Sequence, residues 1–451
     1  MQLEKQSLYV RSALAVASYG LLGIALPTAA ASTDATQINS ALLYYAEKGR
    51  VKVGEATASI TQPQDGQETV IVTPTVDVIT GASPTGATIS DKPQSISNRD
   101  TTPANTLPVK RFTDHRYALS VDWDQTIDAV SKMRLGINAS TEKDYKSVGG
   151  SAAVTQDINN KLTTLSAGIS GNFDSVEPAG GIVPLELTPL SNAYFTSSAN
   201  SSNVNAVTTA SGAIISSGSS GTSVPSNSSS KVHTKNKVTL DGLIGVTQVV
   251  NRHTLMQFNY NIGINRGYLT DPYKIISLVD GTSGETVDYL TEKRPNTRLR
   301  QAVYWKTVLH LRQDVIHFSL RIFWDNWGIF SKTADLHYHL VLGDNFYVEP
   351  QLRYYTQSSA DFYHHSLVKD APLPDNASAD YRLADMKSRS YGLKLAMIFG
   401  KDQKDELNAR VTYMKQTGDS HPADAIGVQQ SLDLYPGLKA LIAQLGLTLT
   451  F

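Results

Sequence analysis

Connection length is the property of this sequence that most narrows its fold. Stretches of alternating apolar and polar residues are joined first by a tight turn, then by a connection that is free to be long. The tight turns fall at Pro63, Asp128, Asn159, Asn251, Gln313, Gly343 and Gly400. The long connections, at 81–111, 175–232, 267–297, 358–385 and 418–437, all lie at the alternate positions. A soluble sandwich has no reason to collect every long loop at one end. An antiparallel up-and-down barrel in an outer membrane does, with short periplasmic turns and long external loops.

The stretches themselves alternate with the period of a strand, whose successive side chains point to opposite faces. In His253 to Asn265, Met256, Phe258, Tyr260, Ile262 and Ile264 share one face, and Gln257, Asn259, Asn261, Gly263 and Asn265 share the other. From Ala443 to Phe451, Ala443, Leu445, Leu447, Leu449 and Phe451 oppose Gln444, Gly446, Thr448 and Thr450. Lipid can take the first face of each and a wet lumen the second. The terminal aromatic is expected to help the barrel-insertion machinery recognise the last strand. The count is sixteen strands, all-β, with Ile38 to Tyr45 as the first; fourteen is the alternative.

Composition removes several alternatives. A net charge of −1 offers no basic excess for nucleic acid. The absence of cysteine rules out disulfides, thiolate metal sites, a Cys nucleophile and covalent c-type haem. Lys5 and Arg11, the apolar run Ala13 to Leu26, and Ala29-Ala30-Ala31 read as a secretory leader at 1–31, so the mature chain is expected to begin at Ser32. No later stretch approaches a spanning helix, so membrane insertion requires a closed barrel that satisfies its own backbone. The Ser-rich tract at 196–230 is too polar to offset its ordering entropy and reads as mobile.

Several stretches resemble a known family. They are Thr80 to Ala87 (TGASPTGA), Gly245 to Arg252 (GVTQVVNR), Gly267 to Lys274 (GYLTDPYK), Arg353 to Tyr363 (RYYTQSSADFY), Ala377 to Leu383 (ASADYRL) and Thr417 to Ser420 (TGDS). Together they resemble the Gram-negative family catalogued as domain of unknown function 3570, over nearly the whole mature chain. The resemblance implies an outer-membrane β-barrel with no assigned activity, in the company of periplasmic redox and flavin-attachment proteins. Val183 to Val232 has no counterpart in it.

One constellation is chemically suggestive. With Gln313-Asp314 as a two-residue turn, His310 opposes His317, and His337 lies beside His317 on the next strand. A three-residue turn at Gly343 sets Glu349 across from His339 and Arg353 across from Asp335. All would face the lumen. Such imidazoles and a carboxylate can bind a transition metal or relay protons. A polar lining that holds water and pairs across strands needs the same residues. His364, His365 and His421 read as solvated loop residues, and Asp271 and Asp361 as turn formers. Trp305, Trp324 and Trp327 suit interface girdles or sugar binding.

The expected role is porin-like passage of ions or small solutes through an outer-membrane barrel in contact with lipid and lipopolysaccharide. A non-conducting scaffold for a periplasmic redox partner carrying haem or flavin is the alternative. No cofactor is assigned to this chain. The sequence has no G-x-S-x-G elbow, P-loop or dinucleotide fingerprint, and a hydrolase whose Ser and His come from separate strands is the third reading.

Overall fold

The structure, a computed structural model, describes residues 35–451 except 65, 98–99, 179–182, 191–233 and 401–402. The expected leader at 1–31 and the Ser-rich tract at 196–230 lie outside the described residues. The strands in chain order are β1 (Gln37–Glu47), β2 (Lys52–Gln64), β3 (Glu68–Pro84), β4 (Gln94–Ser97), β5 (Asp100–Thr102), β6 (Val109–Thr126), β7 (Ser131–Thr141), β8 (Tyr145–Ile158), β9 (Thr163–Val176), β10 (Lys235–Asn251), β11 (Thr254–Gly267), β12 (Ile275–Val279), β13 (Thr286–Thr291), β14 (Thr297–Leu311), β15 (Asp314–Asp325), β16 (Phe330–Leu342), β17 (Phe346–Gln357), β18 (Leu367–Val368), β19 (Met386–Phe399), β20 (Asp405–Gly418) and β21 (Leu438–Thr450).

All but β4, β5, β12, β13 and β18 form one closed barrel of sixteen strands. Each pairs antiparallel with its neighbours in chain order, and β21 closes on β1 with Leu445 opposite Leu42. Ile38 to Tyr45 is therefore a wall strand, and the count is sixteen rather than fourteen. The wall strands run from 11 to 18 residues, ample against the ~9–11 that cross a bilayer. Ile137 and Ile169 are 68% and 70% exposed on the outside. Leu352, Leu393 and Leu445 are exposed there too. Water would penalise such a continuous apolar belt; lipid does not. Tyr44, Tyr391 and Tyr413 stand exposed on the same outer face, nearer the long-loop end.

The long connections cover one end of the barrel. The 85–108 and 268–296 loops contain the short strands that their aperiodic sequences hid. β13, β12 and β18 form a three-stranded sheet drawn from two different loops. Backbone bonds lace the rest: Ile275 N–H donates to Thr85 O at 2.9 Å, Lys293 and Ala377 exchange bonds, and Val428 N–H donates to Ser283 O at 2.8 Å. Gly86, at φ 98°, passes so close to Ile275 O that a Cβ would lie 2.4 Å from it, so the loop needs glycine there. Ile276, Leu290, Leu367, Ala377 and Ala379 form a small buried core within this cap. A second apolar cluster, with Tyr45, Val53, Ile79 and Phe112, lines the inside of the wall at the same end.

Candidate functional site

Inside the barrel, the residues opposite the apolar belt form rungs. On β16 and β17, Asp335 pairs with Arg353 and His337 with Gln351, while Leu336 and Leu352 pair on the outside. His317 of β15 sits opposite His337. Glu349 lies opposite Lys394 of β19, Lys394 opposite Arg410 of β20, and Arg410 opposite Gln444 of β21. Because a strand repeats every two residues, one polar residue at each inward position suffices to build this lining.

The side chains link up around two carboxylates. His337 touches both: its Nε2 is 2.8 Å from Asp335 Oδ1 and its Nδ1 is 3.0 Å from Glu349 Oε1. Arg353 Nη1 donates to Asp335 Oδ2 at 3.2 Å and Gln351 Nε2 to Asp335 Oδ1 at 3.2 Å. Arg410 Nη2 donates to Glu349 Oε1 at 2.9 Å. His339 Nδ1 stands 3.8 Å from Glu349 Oε2, with its ring 4.1 Å from that of Tyr347. Tyr347 in turn donates to Glu406, which also pairs with Lys394 at 3.0 Å. Lys306 and Arg321 face the same space and form no ion pair among the described residues. On β6, six strands round the barrel from β14 and seven from β15, Asp122 also lacks an ion pair among the described residues, and Asp124 is bound to Arg134 of β7.

This geometry brings together His317, His337, His339, Glu349, Asp335 and Arg353, and leaves His310 out. Leu311 pairs with Asp314, so the turn is Arg312-Gln313, not Gln313-Asp314, and Val308 rather than His310 opposes His317. Asp314 belongs to the strand because its carboxylate accepts from Tyr338 Oη at 2.8 Å and Val341 N–H at 3.1 Å. Moving a turn by one residue moves every partner by two. His310 therefore keeps its face but lies exposed at the short-turn end. Among the described residues no group of three or more His, Asp or Glu is arranged to hold a metal ion. Glu349 is instead occupied by His337 and Arg410.

A second polar cluster, missed from the sequence, lies in the cap. Arg294 Nε is 2.6 Å from Glu292 Oε1 and its Nη2 is 2.9 Å from Asp380 Oδ2. Arg382 donates to Asp380 through Nε at 2.8 Å and to Asp271 Oδ2 at 3.3 Å. Ser378 donates to Glu292, and Lys274 Nζ to Pro84 O. Glu292, Asp380 and Lys274 are buried. Burial alone would raise the Asp380 carboxyl, but the surrounding Arg382, Lys274 and Arg294 cations outweigh it and hold the group well below the usual carboxylate range. Burial pulls the Lys274 ammonium below its ordinary value. Three of the stretches that carry the family resemblance, 80–87, 267–274 and 377–383, meet here. That convergence was the available signal. Asp271 forms its turn, accepting from Tyr273 N–H at 3.1 Å, and also binds Arg382.

Two loop expectations change. Trp327 is no girdle residue: it is buried under Arg298, stacks edge-on with Phe362, and donates Nε1–H to Thr297 O at 2.9 Å. His365 is buried, not solvated, with Nε2 3.2 Å from Asp424 Oδ1 and Nδ1 3.0 Å from Ser366 Oγ. The Ser366 hydroxyl is also gripped by Gln429 at 3.1 Å, so this trio is a packed link in the cap rather than a presented nucleophile.

A family model described as "Protein of unknown function (DUF3570)" matches residues 11–449. No curated protein matches the sequence. Among solved structures the chain is similar to a bacterial polysaccharide outer membrane secretin, at 6% identity and a TM-score of 0.43 over 93% of this chain and 100% of that one. It is similar to the outer membrane protein opdK from Pseudomonas aeruginosa at 8% identity and a TM-score of 0.36, covering 92% and 99%. It is also similar to the siderophore receptor PirA from Pseudomonas aeruginosa, at 8% and 0.36, over 86% of this chain; it spans 57% of that receptor's length. The likeness is one of fold.

Proposed function

The chain belongs to the DUF3570 family, whose description names no activity, and on the geometry we propose an outer-membrane barrel that passes ions or small hydrophilic solutes in porin-like fashion. The long-loop end then faces the exterior and the short turns face the periplasm. The observation that carries the reading is that charged groups stand in the lumen without ion pairs. Lys306 and Arg321 stand without ion pairs on one wall, and Asp122 stands without one on the opposite wall, among the described residues. Ionised groups spent only on holding the wall together would be paired. Left free on facing walls, they set a transverse field through which a hydrated solute must orient.

The test is conductance of the purified barrel in a planar bilayer. Discrete steps are expected, and Lys306→Gln with Arg321→Gln should move the reversal potential toward cation preference. A bilayer that stays silent at high salt refutes passage. The knitted cap favours a second reading, in which the barrel is closed and serves as a scaffold for a periplasmic redox partner. Silence together with a haem- or flavin-coloured protein in the purified material would support it.

A further inference from the structure

The outer face of the barrel carries a row of like charges where β19, β20, β21 and β1 meet the cap. Arg389 lies directly opposite Lys415. Lys415 lies directly opposite Lys439. The backbone N–H of Lys48 donates to Lys439 O at 3.0 Å, which brings a fourth cation to the end of the row. All four residues are exposed. None of them forms an ion pair among the described residues.

Their height on the wall is defined by their neighbours. Two residues below Arg389 and Lys415 on the same face are the exposed Tyr391 and Tyr413, which pair with each other. Below those come Leu393 and Val411, exposed in the apolar belt. The order is aliphatic belt, tyrosine, then cation. Tyrosines mark the level where acyl chains end, so the row stands at the depth of lipid headgroups.

Like charges directly opposed across strands sit ~5 Å apart at Cβ and destabilise the sheet. One such pair is easily avoided, since a strand rim accepts almost any polar residue. Elsewhere on this rim it is avoided: Arg111 faces Ala82, Arg266 faces Val238 and Thr297, and Lys332 faces Ile322 and Thr356. A row of opposed cations is stable when a multivalent anion covers it, because each ammonium or guanidinium then gains a charge-assisted bond and the mutual repulsion is screened. The ligand must lie flat on the wall at headgroup depth and carry closely spaced phosphates.

We propose that Arg389, Lys415, Lys439 and Lys48 form a binding site for the phosphates of lipopolysaccharide in the outer leaflet. The site sits outside the lumen and is independent of whether the barrel conducts. It rests on the outer-membrane placement proposed above, with the long loops outermost.

The experiment uses the full barrel in detergent, titrated with purified lipopolysaccharide and followed by thermal shift and by phosphate retained after size-exclusion chromatography. Two triple variants are compared: Arg389→Ser, Lys415→Ser, Lys439→Ser, and the charge-matched rim control Arg111→Ser, Arg266→Ser, Lys332→Ser. The row variant should bind at least tenfold more weakly than wild type and the control should not. Without lipid the row variant should melt no lower than wild type, because its repulsion is gone. Dephosphorylated lipopolysaccharide should bind the wild type as weakly as the row variant binds the intact lipid. Inorganic phosphate at matched phosphate concentration should not compete. Equal loss in both triples, or loss in neither, overturns the site; competition by inorganic phosphate overturns the lipid as its ligand. Cell fractionation reads the placement separately: binding in detergent with recovery outside the outer membrane refutes the placement alone.

Discussion

Leu352 and Arg353 are adjacent on β17 and should respond oppositely to exchange of character. Leu352 is 51% exposed on the belt, opposite Leu336 and Tyr391. Arg353 is inside, bound to Asp335 at 3.2 Å, with about half its side chain open to the lumen. Leu352→Arg places a charge on the lipid face opposite Tyr391, short of the midplane, where the cost is at most the ~2–4 kcal/mol of the bilayer midplane. A cost of ~2 kcal/mol is roughly a 30-fold loss in the ratio of folded to unfolded barrel, at about 1.4 kcal/mol per tenfold. Arg353→Leu removes a screened pair in a wet lumen, worth on the order of 1 kcal/mol or less. Asp335 keeps His337 and Gln351 as partners. Refolding into lipid vesicles, read by heat-modifiable gel mobility across a urea series, separates the two. If Arg353→Leu unfolds the barrel while Leu352→Arg folds normally, the facing of β17 is reversed, and the ladder built on the same parity falls with it.

In the cap, Asp380→Asn leaves Arg294 and Arg382 facing each other without their shared carboxylate, and breaking a buried pair this way costs ~3–5 kcal/mol. The loss should be local: protease should cut 358–385 and 268–296 faster while heat-modifiability of the barrel is kept. Unchanged cleavage refutes a structural role for the ionic core. The same group predicts acid tolerance. Its folded pKa is depressed, so its contribution is complete above the unfolded value of about 3.9 and is lost only as pH falls below that. Cap cleavage should therefore not rise between pH 7 and pH 5 and should rise near pH 3; a rise already at pH 5 counts against it. Within the lumen, Glu349→Gln removes the carboxylate shared by His337 and Arg410 and should move a conducting pore toward anion preference, read by reversal potential in a salt gradient. A shift toward cations refutes the placement of Glu349 on the conducting surface.

The wall of this protein was legible in its sequence because its code is local. A strand repeats every two residues, so Met256 to Ile264 or Leu445 to Leu449 declare their face without reference to any partner, and the alternation of tight and long connections orders the strands around the barrel. Even an error of one residue at Arg312-Gln313 preserved the facing, since it shifted partners by two and cost only the meeting of His310 with His317. The Asp335–Arg353 rung was readable for the same reason, through the turn at Gly343. What the tertiary structure alone decided depends on segments far apart in the chain. Asp122 faces Lys306 and Arg321 across the lumen only because sixteen strands close and bring β6 round to face β14 and β15. Arg294, Asp380, Arg382 and Asp271 meet because two aperiodic loops pack on each other, and no period encodes such packing. Arg389, Lys415, Lys439 and Lys48 become one row only when β21 has paired with both β20 and β1. Parity tells a residue which way to face; closure decides what it meets there.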